Sequence, residues 1–178
     1  MIDPAIVWLT SIAVAAVLAH GGQHKLRARP VFAATLRDYQ LLPDALITPV
    51  SMLIPVLELL AAAALLLPQF RLQGAALAGS LLLLYTLAMG INIARGRRYI
   101  DCGCAGPAQR QPISTWLIVR NVLLMALLIP NVVGASLRAV VWVDYVTIGL
   151  GAAALVILYG VGNGLAANQP RSMVIKNG

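Results

Sequence analysis

The chain has 178 residues, of which 60% are apolar and 11% charged, with a mean hydropathy of +0.86 and a formal net charge of +7. Soluble domains carry roughly one-quarter charged residues, so this composition excludes an ordinary soluble enzyme and indicates an integral membrane protein. The positive charge does not indicate nucleic acid, because the lysines and arginines flank apolar segments and form no single basic stripe.

The first apolar segment covers residues 4–22. Its start, Met1-Ile2-Asp3-Pro4, lacks the basic region that precedes a secretory signal's apolar stretch, so no cleavable signal is expected and the segment counts as a span. In residues 25–44, Phe32, Leu36, Tyr39 and Leu41-Leu42 recur at near-helical spacing beside Arg29 and Arg37. An interfacial amphipathic helix is expected there, against the plainer alternative of a solvated loop. Residues 45–67 form the second segment, with Glu58, Pro49 and Pro55, and residues 72–94 the third, without any charge. The fourth, residues 114–133, contains Arg120 and is open to interruption at Pro130; the fifth, residues 140–162, begins near Asp144.

Each segment is close to the roughly 20 residues that a helix needs to cross the hydrocarbon core, and backbone groups in lipid must be satisfied within the segment. The expected fold is therefore all-α: a polytopic membrane helical bundle of four to five transmembrane helices with an interfacial amphipathic helix after the first. One transmembrane domain over residues 1–162 is expected, followed by a short polar tail over 163–178, a place where order is usually poor.

The two cysteines stand one residue apart in Asp101-Cys102-Gly103-Cys104, on a polar loop between the third and fourth segments. Residues i and i+2 approach closely enough for a disulfide, and Gly103 permits the tight backbone. The small ring is strained, which makes such a disulfide easier to reduce. Arg97 and Arg98 favour thiolate, whereas Asp101 opposes it. The plain alternative is an unreactive pair or a staple, although a one-residue gap staples almost nothing. Metal binding is the chemical rival: His20 and His24 stand at i, i+4, and with Cys102 and Cys104 they would complete a Cys2His2 set. Each histidine alone also reads as an interfacial hydrogen-bonding group.

Inside the membrane, Glu58 and Arg120 are the residues that chance supplies least, because a charge at the bilayer centre costs a few kcal/mol. A pair across the second and fourth segments is one expectation, and separate snorkelling or packing roles the other. Asn92 and Asn121 are candidates for hydrogen bonds in the same layer, and Gly74, Ala75, Ala78, Gly79, Gly160 and Gly164 for close helix contacts. With five spans, Lys25, Arg27, Arg29, Arg37, Arg95, Arg97, Arg98, Arg110, Arg171 and Lys176 share one side, and Arg71 and Arg138 mark the other. The positive-inside rule then puts the cysteine loop in the cytoplasm.

The succession Gly22-Gln23-His24-Lys25-Leu26, Tyr39-Gln40-Leu41-Leu42-Pro43, Pro55-Val56-Leu57-Glu58, Asn92-Ile93-Ala94-Arg95-Gly96, Asp101-Cys102-Gly103-Cys104-Ala105-Gly106, Ser114 and Arg120-Asn121 resembles MauE, the methylamine utilisation membrane protein family. The resemblance runs to about residue 125, and its strength lies in the order of the pieces together with the cysteine motif. It implies multi-pass placement in the bacterial inner membrane. It also implies a part in maturing methylamine dehydrogenase, whose small subunit is rich in disulfides, beside the thioredoxin-like protein MauD. The wider redox-associated group includes DoxX. Carried onto this chain, the redox residues are Cys102 and Cys104, with His24, Glu58, Arg95, Asp101, Arg120 and Asn121 as supporting positions.

The leading expectation is a thiol-disulfide oxidoreductase or redox partner. A single pair cannot relay electrons to a second pair of its own, so a membrane quinone or a second protein must complete the circuit; no quinone motif is readable. The alternatives are a non-catalytic assembly factor that holds MauD or the dehydrogenase small subunit at the membrane, and a metal carrier using His20, His24, Cys102 and Cys104. Maturation of a secreted enzyme requires the loop outside, where disulfides persist, in opposition to the basic residues.

Overall fold

The computed structural model describes residues 2–97, 99–102, 112–136 and 138–176, with side chains as far as residue 165. Helix α1 spans Pro4–Arg27, α2 Arg29–Tyr39, α3 Asp44–Leu66, α4 Arg71–Ala94, α5 Thr115–Ala126, α6 Ile129–Val133 and α7 Trp142–Lys176. Among the described residues the remaining regular structure is a single 3-10 turn at Pro68–Phe70 and two isolated bridges, Ile2 with Ala135 and Asp101 with Pro112.

Local chemistry accounts for several boundaries. Asp3 caps α1 by accepting the Ala5 N–H at 2.8 Å, and Pro4 fills the first turn, where its missing donor costs nothing. The amphipathic helix expected after the first span is α2, which carries Pro30 in its first turn and is closed by Gln40 in the left-handed region (φ 49°). It turns Phe32, Thr35 and Tyr39 inward, a spacing of three and four that lines one helix face. The fourth apolar segment divides into α5 and α6 just before Pro130, which has no N–H to continue the ladder. The two pieces still make one span of 19 residues, Thr115–Val133, about 28 Å at 1.5 Å per residue and close to the ~30 Å core.

Five helical segments are thus long and apolar enough to cross a membrane, which decides between four spans and five. α7 runs on past Gly162, so the backbone of the segment read as a tail is helical as far as Lys176. It packs mainly on α1. Only 11% of its apolar span is buried within the bundle, against 33 to 44% for the others.

The interior is layered. One apolar cluster joins Val14, Ala15 and Leu18 of α1 to Ala61, Ala62 and Leu65 of α3, Ala75, Ala78, Leu81 and Leu82 of α4, and Leu124 and Leu128. A second gathers Tyr39 of α2, Met89 of α4, Leu117 of α5, Ile113 and Cys102. Along α4 and α5 the polar residues lie between these clusters: Tyr85 and Thr86 precede Met89, and Arg120 and Asn121 follow Leu117. Helices in lipid gain little from hydrophobicity and associate by close packing of small residues. At Gly74 an added Cβ would stand 2.6 Å from the Leu65 nitrogen, and at Gly22 it would stand 2.9 Å from the Pro55 carbonyl oxygen. Glycine is what lets α3 approach α4 and α1 approach α3 at those points.

Candidate functional site

Where α1 meets α3 and α4, three polar side chains converge inside the apolar bundle. Lys25 Nζ lies 2.5 Å from Glu58 Oε1 and 3.0 Å from the Tyr85 hydroxyl, and that hydroxyl lies 2.6 Å from the same carboxylate oxygen. Lys25 and Glu58 are 4% and 2% exposed. Lys25 donates to both neighbours and Tyr85 donates to Glu58, so one acceptor oxygen gathers two protons. The ammonium also stands 4.7 Å from the Tyr85 ring centre and 5.5 Å from that of Phe32, within cation–π range. Glu58 Oε2 is buried and accepts no hydrogen bond from the described residues.

The pairing corrects one expectation. Glu58 takes Lys25 as its partner, not Arg120. Arg120, 6% exposed, donates to Asn163 Oδ1 of α7 at 3.0 Å and to Asn121 Oδ1 at 3.2 Å, and its guanidinium lies 5.4 Å from the Tyr159 ring centre. Asn121 in turn reaches Thr86 Oγ1 at 3.4 Å. Glu58 and Arg120 therefore belong to one polar belt, which runs from α1 and α3 through Tyr85 and Thr86 to α5 and α7, but each has a nearer partner. Asn121 joins this belt, whereas Asn92, fully buried, donates to the Ala88 carbonyl on its own helix.

Toward the loop, Cys102 is 7% exposed and packs in the second apolar cluster. The loop is pinned at its base by the Asp101 to Pro112 bridge and by the Ile113 N–H, which donates to the Ile100 carbonyl at 3.0 Å. Arg95 caps the end of α4 with an exposed side chain. Gly103, Cys104, Arg98 and Arg110 lie outside the described residues. His24 is half-buried near the end of α1 and His20 exposed, their ring centres 6.5 Å apart. Among the described residues no group of three or more His, Cys, Asp or Glu side chains is placed to hold a metal ion, so the two histidines and Cys102 do not assemble the set that spacing allowed.

Between the two features lies a cavity of about 430 Å³ walled by α2, α3 and α4. Tyr85 and Cys102 both line it, and the rest of its wall is almost wholly apolar, with Leu53 and Leu84 half-exposed at its rim.

Sequence reasoning missed Lys25 and Tyr85. Lys25 follows Gly22 by three residues, and an α1 drawn one turn longer would have carried it into the bundle opposite the single acid of the second segment. Tyr85 gave no signal beyond being a polar-tipped residue in a segment without charge.

Five apolar spans around a buried Lys–Glu pair joined by the half-buried Tyr85, with a cysteine held above an apolar cavity, define a multi-pass helical membrane protein with an intramembrane polar site. The family profile described as "Methylamine utilisation protein MauE" matches residues 3–137, and the chain belongs to that family. It is 41% identical over 112 residues to the methylamine utilization protein MauE of Methylophilus methylotrophus, covering 63% of this chain and 57% of that protein. It is 35% identical over 127 residues to the MauE of Paracoccus denitrificans, covering 71% and 68%. The chain thus spans just over half the length of the first of these relatives. No solved structure matches it. The pieces Gly22 to Leu26 and Pro55 to Glu58 that carried the resemblance are the two that meet at the ion pair.

Proposed function

We propose that this chain is a membrane thiol-disulfide exchange factor of methylamine utilisation. Cys102 and Cys104 pass a disulfide to a thioredoxin-like partner of the MauD kind while disulfides form in the small subunit of methylamine dehydrogenase. The placement is the bacterial inner membrane, with the loop facing the compartment where that enzyme is oxidised. The observation that carries the reading is the position of Cys102: one of the chain's two cysteines, it sits at the neck of a pinned loop, buried over the cavity. Membership of the MauE family supports the pathway.

The burial of Cys102 divides the labour within the pair. A protein thiolate cannot reach a sulfur on a residue 7% exposed, so the partner attacks Cys104. That attack breaks the Cys102–Cys104 disulfide, forms a mixed disulfide with Cys104 and releases Cys102 sulfur. The partner's second thiol then displaces Cys104 sulfur. The partner leaves oxidised, and the pair has gained two electrons and two protons.

The test is replacement of the cysteines in cells that make the dehydrogenase. Cys102→Ser should accumulate a mixed disulfide through Cys104, Cys104→Ser should not, and the double replacement should abolish maturation. Full maturation with the double replacement would sink the proposal.

A further inference from the structure

We infer that the cavity beneath Cys102 binds the ring of a lipid-soluble quinone, which takes the electrons from the reduced cysteine pair. The inference rests on the exchange function proposed above and supplies the electron acceptor that a single cysteine pair needs.

Three features define the ligand. The volume, about 430 Å³, falls within the roughly 300–1,000 Å³ of small-molecule sites. The wall is apolar and reaches the lipid-facing surface at Leu53 and Leu84, so the ligand is a hydrophobic one that arrives through the bilayer. Of the hydroxyl-bearing side chains on the wall, Thr35, Tyr39 and Tyr85, it is Tyr85 that Lys25 and Glu58 back. Glu58 Oε1 accepts from Lys25 as well as from Tyr85, so Tyr85 can turn its proton toward a ring carbonyl without leaving the carboxylate bare. An acyl chain would make no use of that donor. A quinone ring uses both that donor and Cys102, since both residues line the cavity.

The step balances. The Cys102 and Cys104 thiols lose two electrons and two protons as their sulfur–sulfur bond forms, and the quinone becomes the quinol by taking both. The cavity thus returns the pair to the disulfide form that the partner consumed. Tyr85 is a binding and orienting group in this scheme.

The experiment uses the full chain in lipid nanodiscs, reduced and held without oxygen, with decylubiquinone as probe. Saturable binding is expected, together with reduction of one quinone per cysteine pair, read from the quinone absorbance. Ala88→Phe and Leu53→Phe, which fill the cavity from α4 and α3, should each weaken binding at least tenfold while thermal unfolding stays near that of the parent. Tyr85→Phe should slow quinone reduction several-fold. Cys102→Ser should bind the probe and reduce none. Decanol, which has the chain and no ring, should not displace the probe. Absence of saturable binding, equal binding by both filled variants, displacement by decanol, or quinone reduction by Cys102→Ser would each overturn the inference. Cysteine-dependent maturation alongside any of these outcomes leaves the exchange function standing. Cysteine-independent maturation removes that function whatever the quinone does.

Discussion

Replacing Glu58 with glutamine keeps the shape of the side chain and deletes its charge, leaving Lys25 as a lone ammonium among apolar helices. A lysine at the centre of a membrane helix costs about 2.5–3.5 kcal/mol on insertion scales, and removing one member of a buried pair costs about 3–5 kcal/mol in proteins generally. Some compensation survives: the Tyr85 hydroxyl at 3.0 Å and the rings of Tyr85 and Phe32 at 4.7 and 5.5 Å, where a cation–π contact contributes about 0.5–2 kcal/mol. The net loss expected for Glu58→Gln is about 2–3 kcal/mol, or roughly a hundredfold in the folding equilibrium at about 1.4 kcal/mol per decade.

The companion change decides the cause. Lys25→Met together with Glu58→Gln removes both charges, and replacing a buried pair with apolar groups is often neutral or stabilising; the double variant should return to within about 1 kcal/mol of the parent. The assay is reversible unfolding in mixed micelles followed by circular dichroism. A single variant as stable as the parent, or a double variant less stable than the single, would refute the view that the pair exists to neutralise charge in the bundle.

At Gly22, alanine puts a Cβ 2.9 Å from the Pro55 carbonyl oxygen and 3.2 Å from Glu58 Cβ; the same unfolding assay should show a loss of about 1–3 kcal/mol from overpacking. Gly90, with nothing within 4 Å of its added Cβ, is the control, and alanine there should be neutral or up to about 1 kcal/mol more stable. At the opposite end of the bundle, Arg138 donates to Asp3 at 2.9 and 3.2 Å, and this bond, helped by the Ala5 N–H, holds the Asp3 carboxyl below its ordinary 3.8. A depressed carboxyl contributes stability that is fully present above 3.8 and is lost as pH falls through the lower folded value. Carbon-13 titration of Asp3 should therefore show a midpoint below 3.8 that rises toward it in Arg138→Gln. For the cysteine loop, the proposed maturation of a secreted enzyme requires labelling of the cysteines by a membrane-impermeant thiol reagent in intact cells. The arginines beside the loop argue for the reverse orientation, and labelling seen only after permeabilisation would refute the exported partner.

The spans were legible because bilayer thickness dictates their length, whatever their sequence. The α2 register was legible at Phe32 and Tyr39, seven residues apart, although Thr35 is buried where Leu36 was the expected inward residue. Glu58 announced itself through the cost of a charge in lipid, but its partner did not. Arg120 was the other charge within an apolar run, whereas Lys25 stood beyond the apparent end of its run at Gly22; α1 in fact continues to Arg27. Hydropathy averages over a window and so loses a single lysine at the margin, while the bundle places that lysine by helical geometry. The burial of Cys102 was equally hidden, since it depends on Tyr39, Met89 and Leu117 arriving from three helices.

Depth relates the polar site to the loop. Glu58 lies fourteen residues into α3 and Tyr85 nine residues before the end of α4, about 21 Å and 14 Å along their helices at 1.5 Å per residue. Neither can meet a soluble protein, so the ion pair has no direct part in the proposed exchange with a thioredoxin-like partner. Tyr85 and Cys102 both line the cavity, and the quinone inferred there would touch both. In the proposed scheme stability and redox roles therefore meet at Tyr85, whose hydroxyl completes the Lys25–Glu58 cluster and which also lines the cavity. A defect in electron transfer without a comparable loss of stability in Tyr85→Phe would separate the two roles, because Lys25 and Glu58 still satisfy each other when the phenol is gone.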